Sequence, residues 1–579
     1  MNKYFLSIFF FILSYALWTS CANVTPPTGG PRDTIAPVRI MTVPLNKSIN
    51  YKGKTILLEF DERIKTEKIK DQLILTPLTE SEYDYTIKKN IIKFTFEDPF
   101  QDSTTYTLNF RESIQDITEG NPTKDNKFTF STGSFIDSMS INGYVKELLT
   151  YDTLESIIVG LYRVNDTITI YNGSPYYFTE LQQDGSYLIE NIKNGSYLLY
   201  AFLDENKNLQ LETNNEKYGF SKDTIKLDTG AYVKNLDLIK LDLSEFRIMT
   251  TIASGKYYDI NLNKYIVDFE ASPINNTFNI YANRAKENKS IRFYDNFNNI
   301  DSLQVSFTAT DSLNSTISDT LFVKFSDSKR KKDEFKITVL PENKTSIELL
   351  PQFKIKFNKP VIKTITDSIY IQYDTTVINQ VHDSILTWNK YRDELTFSLQ
   401  IDRSKADTIL NSRIRQKQIQ KDSLLKEKSN EPQLKQQINK NQKDEGPKIN
   451  QGLQLYFGIG AFQSADQDTS KSFGYNYKFV VPEENGIQEI NITSNYTSFI
   501  TQLTDEKFKV IRELPNQKSI VFKNLPPGKY KIRVLIDENN DGKWSPGNMS
   551  KQIEPEPVYI YPEVLVIRAD WRTTLDLTF

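Results

Sequence analysis

The stretch TILLEFDE, residues 55–62, places Ile56, Leu58 and Phe60 at every second position. A strand turns successive side chains to opposite faces, so this period marks one buried and one wet face. The same period returns at Ile92, Phe94 and Phe96, and again at Tyr106, Leu108 and Phe110. Several short strands within roughly 100 residues close most simply as a β-sandwich. Residues 34–133 are therefore expected to form one sandwich module.

The pattern recurs downstream. Phe353, Ile355 and Phe357 alternate, then Leu395, Phe397 and Leu399, then Leu453, Leu455 and Phe457. Phe60 and Phe357 are 297 positions apart, whereas Phe110 and Phe457 are 347 apart. The difference of 50 matches the polar stretch 404–451, rich in Lys, Gln, Asp and Asn and without an aromatic residue. That stretch reads as an excursion from a second module, 336–482. Its residues around Ile414-Arg415-Gln416 can form a surface helix, but the apolar stripe is thin and a solvated loop is expected.

A second repeat is sharper. NIKNGSYLLYAFLDENKN (191–208) and NLPPGKYKIRVLIDENND (524–541) share a turn–strand–loop order at a constant offset of 333. They define sandwiches at 135–245 and 483–579. A smaller β domain is expected at 246–335, from the alternation at Ser306–Thr308 and Leu321–Phe325.

Composition agrees with an all-β chain. The 579 residues include 32 Tyr and 35 Phe but only 22 Gly and 5 Met, and aromatic residues suit pleated, half-buried surfaces. A hydrophobic share of 38 % beside 25 % charged residues is an ordinary soluble balance. One cysteine cannot form an internal disulfide, and one cysteine with one histidine cannot supply a structural zinc site. His382 is the sole imidazole and has no catalytic constellation in Val381-His382-Asp383-Ser384. Asp61 and Glu62 read as solvent-facing residues at a strand end rather than an acid–base pair. No enzyme is expected. A net charge of −3 gives no basic footprint for nucleic acid.

The N-terminus reads as a processing segment. Lys3 precedes an apolar run from Phe5 to Trp18, which suits a signal peptide better than a span. The run ends in Leu17-Trp18-Thr19-Ser20-Cys21, which resembles a bacterial lipobox. The resemblance implies cleavage of residues 1–20 and lipid attachment at Cys21. Residues 21–33, with three prolines and two glycines, read as a tether.

Two further resemblances follow from the motifs. Pro37, Val38, Pro44, Leu58-Glu59-Phe60-Asp61-Glu62, Thr105-Tyr106-Thr107-Leu108, Asp116, Gly120-Asn121-Pro122 and Phe128-Thr129-Phe130-Ser131-Thr132 keep an order that resembles the S-layer type of bacterial Ig-like domain. That implies a structural or adhesive module. The 191–208 and 524–541 units resemble the prealbumin-like, or carboxypeptidase-regulatory-like, β-sandwich of exported bacterial proteins. The expected fold is thus all-β: tandem Ig-like and prealbumin-like β-sandwiches with one polar insertion.

The repeated loops carry candidate calcium ligands, Asp204, Asn206 and Asn208 in the first and Asp537, Asn539 and Asp541 in the second. Alternate oxygen side chains suit a hard cation, and the same residues build metal-free Asx-turns. Calcium is the one cofactor considered. An Asp-Ser/Thr-aliphatic pattern, repeated twelve times, resembles a periplasmic O-glycosylation sequon, with Thr34, Thr167 and Ser312 as candidate sites. The chain is expected to be an outer-membrane lipoprotein, facing periplasm or exterior, that scaffolds or binds other envelope proteins. The alternative is a surface glycan- or ligand-binding lipoprotein using Trp544, Trp388 and Tyr475.

Overall fold

The computed structural model describes residues 33–79, 81–164, 166–213, 216–274, 279–295, 302–326, 331–429 and 452–579. The leader, Cys21, most of the tether and residues 430–451 of the insertion lie outside the described residues. The chain forms two compact units. One comprises Met1–Lys146, Thr153–Leu211 and Tyr218–Leu238; the other comprises Glu147–Asp152, Glu212–Lys217 and Ile239–Phe579. The fold is all-β, with one long helix.

In the first unit, one sheet runs Arg39–Val43, Thr55–Phe60, Ile91–Phe96, Tyr83–Lys88, and a second runs Ile74–Thr76, Thr105–Asn109, Lys127–Ser131. Ile56, Leu58, Phe60, Ile92, Phe94 and Phe96 face Tyr106, Leu108, Phe110, Phe128 and Phe130 in one buried core. The Phe94 and Phe110 rings stack across it at 5.4 Å. Alternation fails in the second sheet, where Ile74–Thr76, Thr105–Asn109 and Lys127–Ser131 are buried on both faces over most of their length. Thr105 and Thr107 are buried as well as Tyr106 and Leu108, because the next sandwich covers that sheet from outside: Asn191 Nδ2 donates to Thr107 Oγ1 at 2.9 Å.

That next sandwich pairs Met139–Glu147 with Ser186–Ile192 antiparallel and with Ala231–Val233 parallel. Its other sheet runs Tyr177–Glu180, Ile157–Arg163, Gly195–Leu203, Tyr218–Phe220. Ile141, Val159, Leu161, Tyr187, Ile189, Leu199 and Ala201 fill the space between.

The second unit repeats both topologies. Ile337–Leu340, Gln352–Phe357, Glu394–Ser398, Thr387–Trp388 follow the order of the first Ig-like sheet. Gly486–Thr493 takes Ser519–Leu525 antiparallel on one side and Arg572–Thr578 parallel on the other, as Met139–Glu147 does. Between these modules and the first unit's sandwich in sequence lies a β domain of residues 246–325, with its own core around Ile260, Ile291, Phe293, Val305 and Phe307.

The polar insertion takes the helical of its two readings. Arg403–Ser429 is an α-helix of 27 residues rather than a solvated loop. Its base is docked: Ala406 is buried in the module core, and Ile409 packs against it. Asp402 accepts the Lys405 N–H at 3.3 Å, and Arg413 reaches Asp374 at 2.8 Å. The helix thus starts on tertiary contacts that a weak apolar stripe does not reveal.

A buried ionic cluster joins the 246–325 core to the second Ig-like module. Lys359 Nζ lies 2.7 Å from Asp466 and 2.5 Å from Asp468. Tyr257 Oη donates to Asp466 at 2.8 Å, and Ser464 Oγ donates at 2.6 Å. Arg292 grips Asp259 through two bonds at 2.7 and 2.9 Å and also pairs with Asp333. Tyr391 of the second module stacks on Phe269 at 4.6 Å. Burial pushes the Asp466 carboxyl up, but Lys359, Ser464 and Tyr257 outweigh it and leave it below the ordinary carboxylate value. Asp259 is likewise lowered, with Arg292 and Lys286 outweighing burial.

Removing one partner of a buried pair strands the other charge. Asp466→Ala should therefore lower the stability of this unit by about 3–5 kcal/mol in denaturant titration. Lys52→Ala breaks only the exposed pair with Asp102, and its cost should stay within about 1 kcal/mol. The lowered carboxyls stabilise the fold above the unfolded Asp value of about 3.9. Thermal melts should hold a plateau above roughly pH 4 from these groups and fall as pH drops through their lower folded values.

Candidate functional site

The twin loops are built alike to the residue. Each begins on a strand, Gly195–Leu203 or Gly528–Ile536, that starts with a tyrosine lock. Tyr197 Oη donates to the Lys193 carbonyl at 2.8 Å, and Tyr530 Oη donates to the Pro526 carbonyl at 2.7 Å. Each strand ends in a buried aspartate. Asp204 accepts the N–H groups of Asn208 and Leu209 at 3.0 and 3.1 Å. Asp537 accepts those of Asp541 and Gly542 at 3.1 and 2.8 Å. Asn206 and Asn539 accept from the same Asn208 and Asp541 N–H groups. Asn208 and Asp541 accept from Gln210 and Lys543.

Backbone geometry follows the same register. Lys207 and Asn540 have φ of 61° and 59°, and Leu209 and Gly542 have 57° and 86°. Leu209 thus adopts the left-handed turn that glycine makes without strain in the second copy.

All six candidate ligands therefore accept backbone N–H groups and close their own loops. They could still turn remaining lone pairs toward a hard cation. Among the described residues, no group of three or more His, Cys, Asp or Glu is gathered as a metal site, so Asn206 and Asn539 amide oxygens would have to complete any set. Burial raises the Asp537 carboxyl, and the Ser498 hydroxyl with the N–H groups of Gly542, Asp541 and Asn540 outweighs it, leaving the carboxyl below its ordinary value. Glu556 braces the second loop by accepting the N–H groups of Asn539 at 3.2 Å and Ser545 at 2.7 Å. Sequence reading did not single Glu556 out, because it lies outside the repeat.

The other candidates are scattered. Thr34, Thr167 and Ser312 are exposed. Ser312 sits in a turn held by buried Asp311, which accepts from Leu313 and Ser315 and pairs with Lys264 at 3.0 Å. His382 is exposed, and so is Asp61. The three aromatics proposed for a sugar face are not exposed and are not brought together. Trp544 is half-buried and donates its indole N–H to the Glu556 carbonyl at 3.1 Å. Trp388 stacks on Phe357 at 5.5 Å under Arg392, and Tyr475 packs on the same core. Trp571, by contrast, is 55 % exposed.

A concave site lies elsewhere, in the first unit. A cleft of about 460 Å³ is walled by Leu78, Ser81, Asp98, Pro99 and Gln101 on one side and by Tyr162, Arg163, Asp166, Ile168, Pro175 and Tyr176 on the other. The Leu78 N–H donates to the Tyr176 carbonyl at 2.9 Å and joins the walls. The Arg163 guanidinium lies 3.5 Å from the Tyr176 ring centre. The cleft offers flat apolar faces with carboxylate, amide and hydroxyl groups at its edge, which suits a polar ligand with a flat apolar side.

Comparison with known proteins identifies one module. Residues 33–132 match the bacterial Ig-like domain family, so the chain contains a bacterial Ig-like module. No curated protein matches the chain. Solved structures with some similarity include BcpA, the major pilin subunit of Bacillus cereus, at 8 % identity and a TM-score of 0.13, covering 76 % of this chain and 99 % of that one. Dimeric latent PorU from Porphyromonas gingivalis is 8 % identical with a TM-score of 0.20, over 58 % of this chain and 36 % of that one. SGBP-B of the Bacteroides ovatus mixed-linkage glucan utilization locus is 8 % identical with a TM-score of 0.14, over 75 % and 96 %. Similarity at this level carries no inference about function. Among the described residues, no helix is long and apolar enough to cross a membrane.

The loop account has a direct check. Asp537→Ala removes the acceptor of the Gly542 N–H and one of two acceptors of the Asp541 N–H, and should cost about 1–2 kcal/mol. Tyr530→Phe removes one bond and should cost about 1 kcal/mol. Both are read from the denaturation midpoint of the chain.

Proposed function

We propose that this chain is a lipid-anchored, non-enzymatic protein of the bacterial outer membrane, where its β-sandwich modules serve as a scaffold or contact surface for other envelope proteins. The observation that carries this reading is the placement of the sole cysteine. Cys21 directly follows an apolar leader and precedes a Pro/Gly tether that ends where the bacterial Ig-like module begins. Two or three acyl chains there would hold the protein stably, as one would not. β-Sandwich modules with filled cores leave their edges, turns and sheet faces free to contact other proteins. The paired Asp-x-Asn loops act mainly as caps, with calcium as an added ligand to be titrated, and Thr34, Thr167 and Ser312 offer accessible hydroxyls for glycosylation.

The second reading, a glycan- or ligand-binding lipoprotein, belongs at the Tyr162–Tyr176 cleft rather than at Trp544, Trp388 and Tyr475. Its support is the flat Tyr176 face beside Asp98 and Asp166.

Three outcomes follow. The Cys21→Ala chain should leave the membrane fraction and appear in the soluble envelope fraction; retention in the membrane would refute the anchor. A calcium-dependent rise in melting temperature that Asp537→Ala abolishes would support an ion at the second loop, and an unchanged melt in EDTA would leave the loop as a cap alone. On a glycan array, binding lost in Tyr176→Ala would favour the second reading over the scaffold.

A further inference from the structure

The first Ig-like module carries an aliphatic ridge that its own fold does not need. Within residues 35–49, Ile35, Val38, Ile40, Met41, Val43, Leu45 and Ile49 are all exposed, Leu45 to 71 %. They lie on and around Arg39–Val43, which is the terminal strand of its sheet. Exposed aliphatics scattered singly are ordinary, whereas a run of them marks an interaction surface.

The second Ig-like module is an internal control. After the bulge at Arg39/Met41, the two modules are in register at an offset of 297: Met41 pairs with Glu59 as Thr338 pairs with Lys356, and Val43 with Leu57 as Leu340 with Lys354. The turn that follows is the same in detail. Lys47 N–H donates to the Thr129 carbonyl at 2.7 Å, and Lys344 N–H donates to the Asn476 carbonyl at 2.7 Å. Asn46 and Asn343 each accept the N–H of that same strand residue, at 3.0 and 2.9 Å. At three equivalent exposed positions the second module has polar residues: Thr338 for Met41, Glu342 for Leu45 and Ser346 for Ile49. The fold therefore accepts polar side chains there. Only the module next to the tether keeps them apolar.

We propose that this ridge rests on the lipid surface to which the chain is anchored, inserting its aliphatic side chains at the headgroup boundary. The inference rests on the Cys21 anchor proposed above. Fourteen residue steps separate Cys21 from Ile35, so the ridge begins within about 50 Å of the acylated end at full extension. A tethered surface samples the membrane at high effective concentration, and each buried CH2 then adds about 0.8 kcal/mol. Asp33, Asp61, Glu62 and Asp116 lie near one another at this end of the module, while Arg39, paired with Asp125, and exposed Lys47 lie along the ridge, so neither sign dominates and the lipid committed to is a zwitterionic one.

The test uses the residues of the second module as replacements, since the same backbone carries them. The unacylated mature chain, residues 22–579, is sedimented with vesicles of phosphatidylcholine and phosphatidylethanolamine beside the triple variant Met41→Thr, Leu45→Glu, Ile49→Ser. The parent should bind weakly and the variant about tenfold more weakly. In the acylated protein reconstituted in the same vesicles, amide exchange over residues 38–50 should slow several-fold relative to the unacylated chain in buffer, with residues 337–347 unchanged. Equal sedimentation of parent and variant, or no change in exchange, would overturn the proposal. So would a variant that loses self-association or a co-purifying protein while vesicle binding stays the same, since the ridge would then be a protein interface. Incorporation of labelled palmitate at Cys21 is read separately, so failure of the anchor is distinguished from failure of the ridge.

Discussion

Each module is held by the apolar inner faces of two sheets, and a chain with one cysteine has no disulfide to assist them. Everything else depends on that facing. It explains the aromatic content, because Phe and Tyr fill the space between sheets with few side chains. The first Ig-like core uses Phe60, Phe94, Phe96, Phe100, Phe110, Phe128 and Phe130. It also explains why function has to sit at edges, turns and clefts, since the interiors are filled.

Polar groups are then used where apolar packing ends. The tyrosine locks and aspartate caps close the ends of Gly195–Leu203 and Gly528–Ile536. The Lys359–Asp466 pair lies within the second Ig-like module and the Arg292–Asp259 pair within the 246–325 domain, and the Tyr257 hydroxyl donating to Asp466 links the two. Buried pairs of this kind add little net stability over apolar packing but strongly penalise any arrangement that separates them. The Tyr257–Asp466 and Arg292–Asp333 contacts tie the 246–325 domain to the chain that follows it.

Much of this was legible in the sequence, for reasons that can be named. Ile56, Leu58 and Phe60 announce an inner face because their period is that of a strand. The insertion betrays itself by the change of offset and by the loss of aromatics. The helix at Arg403–Ser429 was hidden because its apolar docking contacts among the described residues, Ala406 and Ile409, are only two and leave no long apolar stripe in the sequence. The Tyr176 cleft was hidden because its walls come from separate segments of two successive modules. Trp544 misled because an isolated tryptophan does not reveal whether its indole N–H meets solvent or a carbonyl such as that of Glu556. The aliphatic ridge was hidden in another way. Met41 reads as a core residue in any strand, and only the matched module, with Thr338, Glu342 and Ser346 in the places of Met41, Leu45 and Ile49, separates what the fold requires from what it does not.

The central claim is that the β-sandwich modules of this chain are held at the membrane by one acylated cysteine. The most direct measurement is the intact mass of the N-terminal peptide of the protein purified from membranes. The account predicts loss of residues 1–20 and a new first residue, Cys21, carrying two or three acyl chains. A mature chain that begins elsewhere, with Cys21 absent or bearing a free thiol, would contradict it.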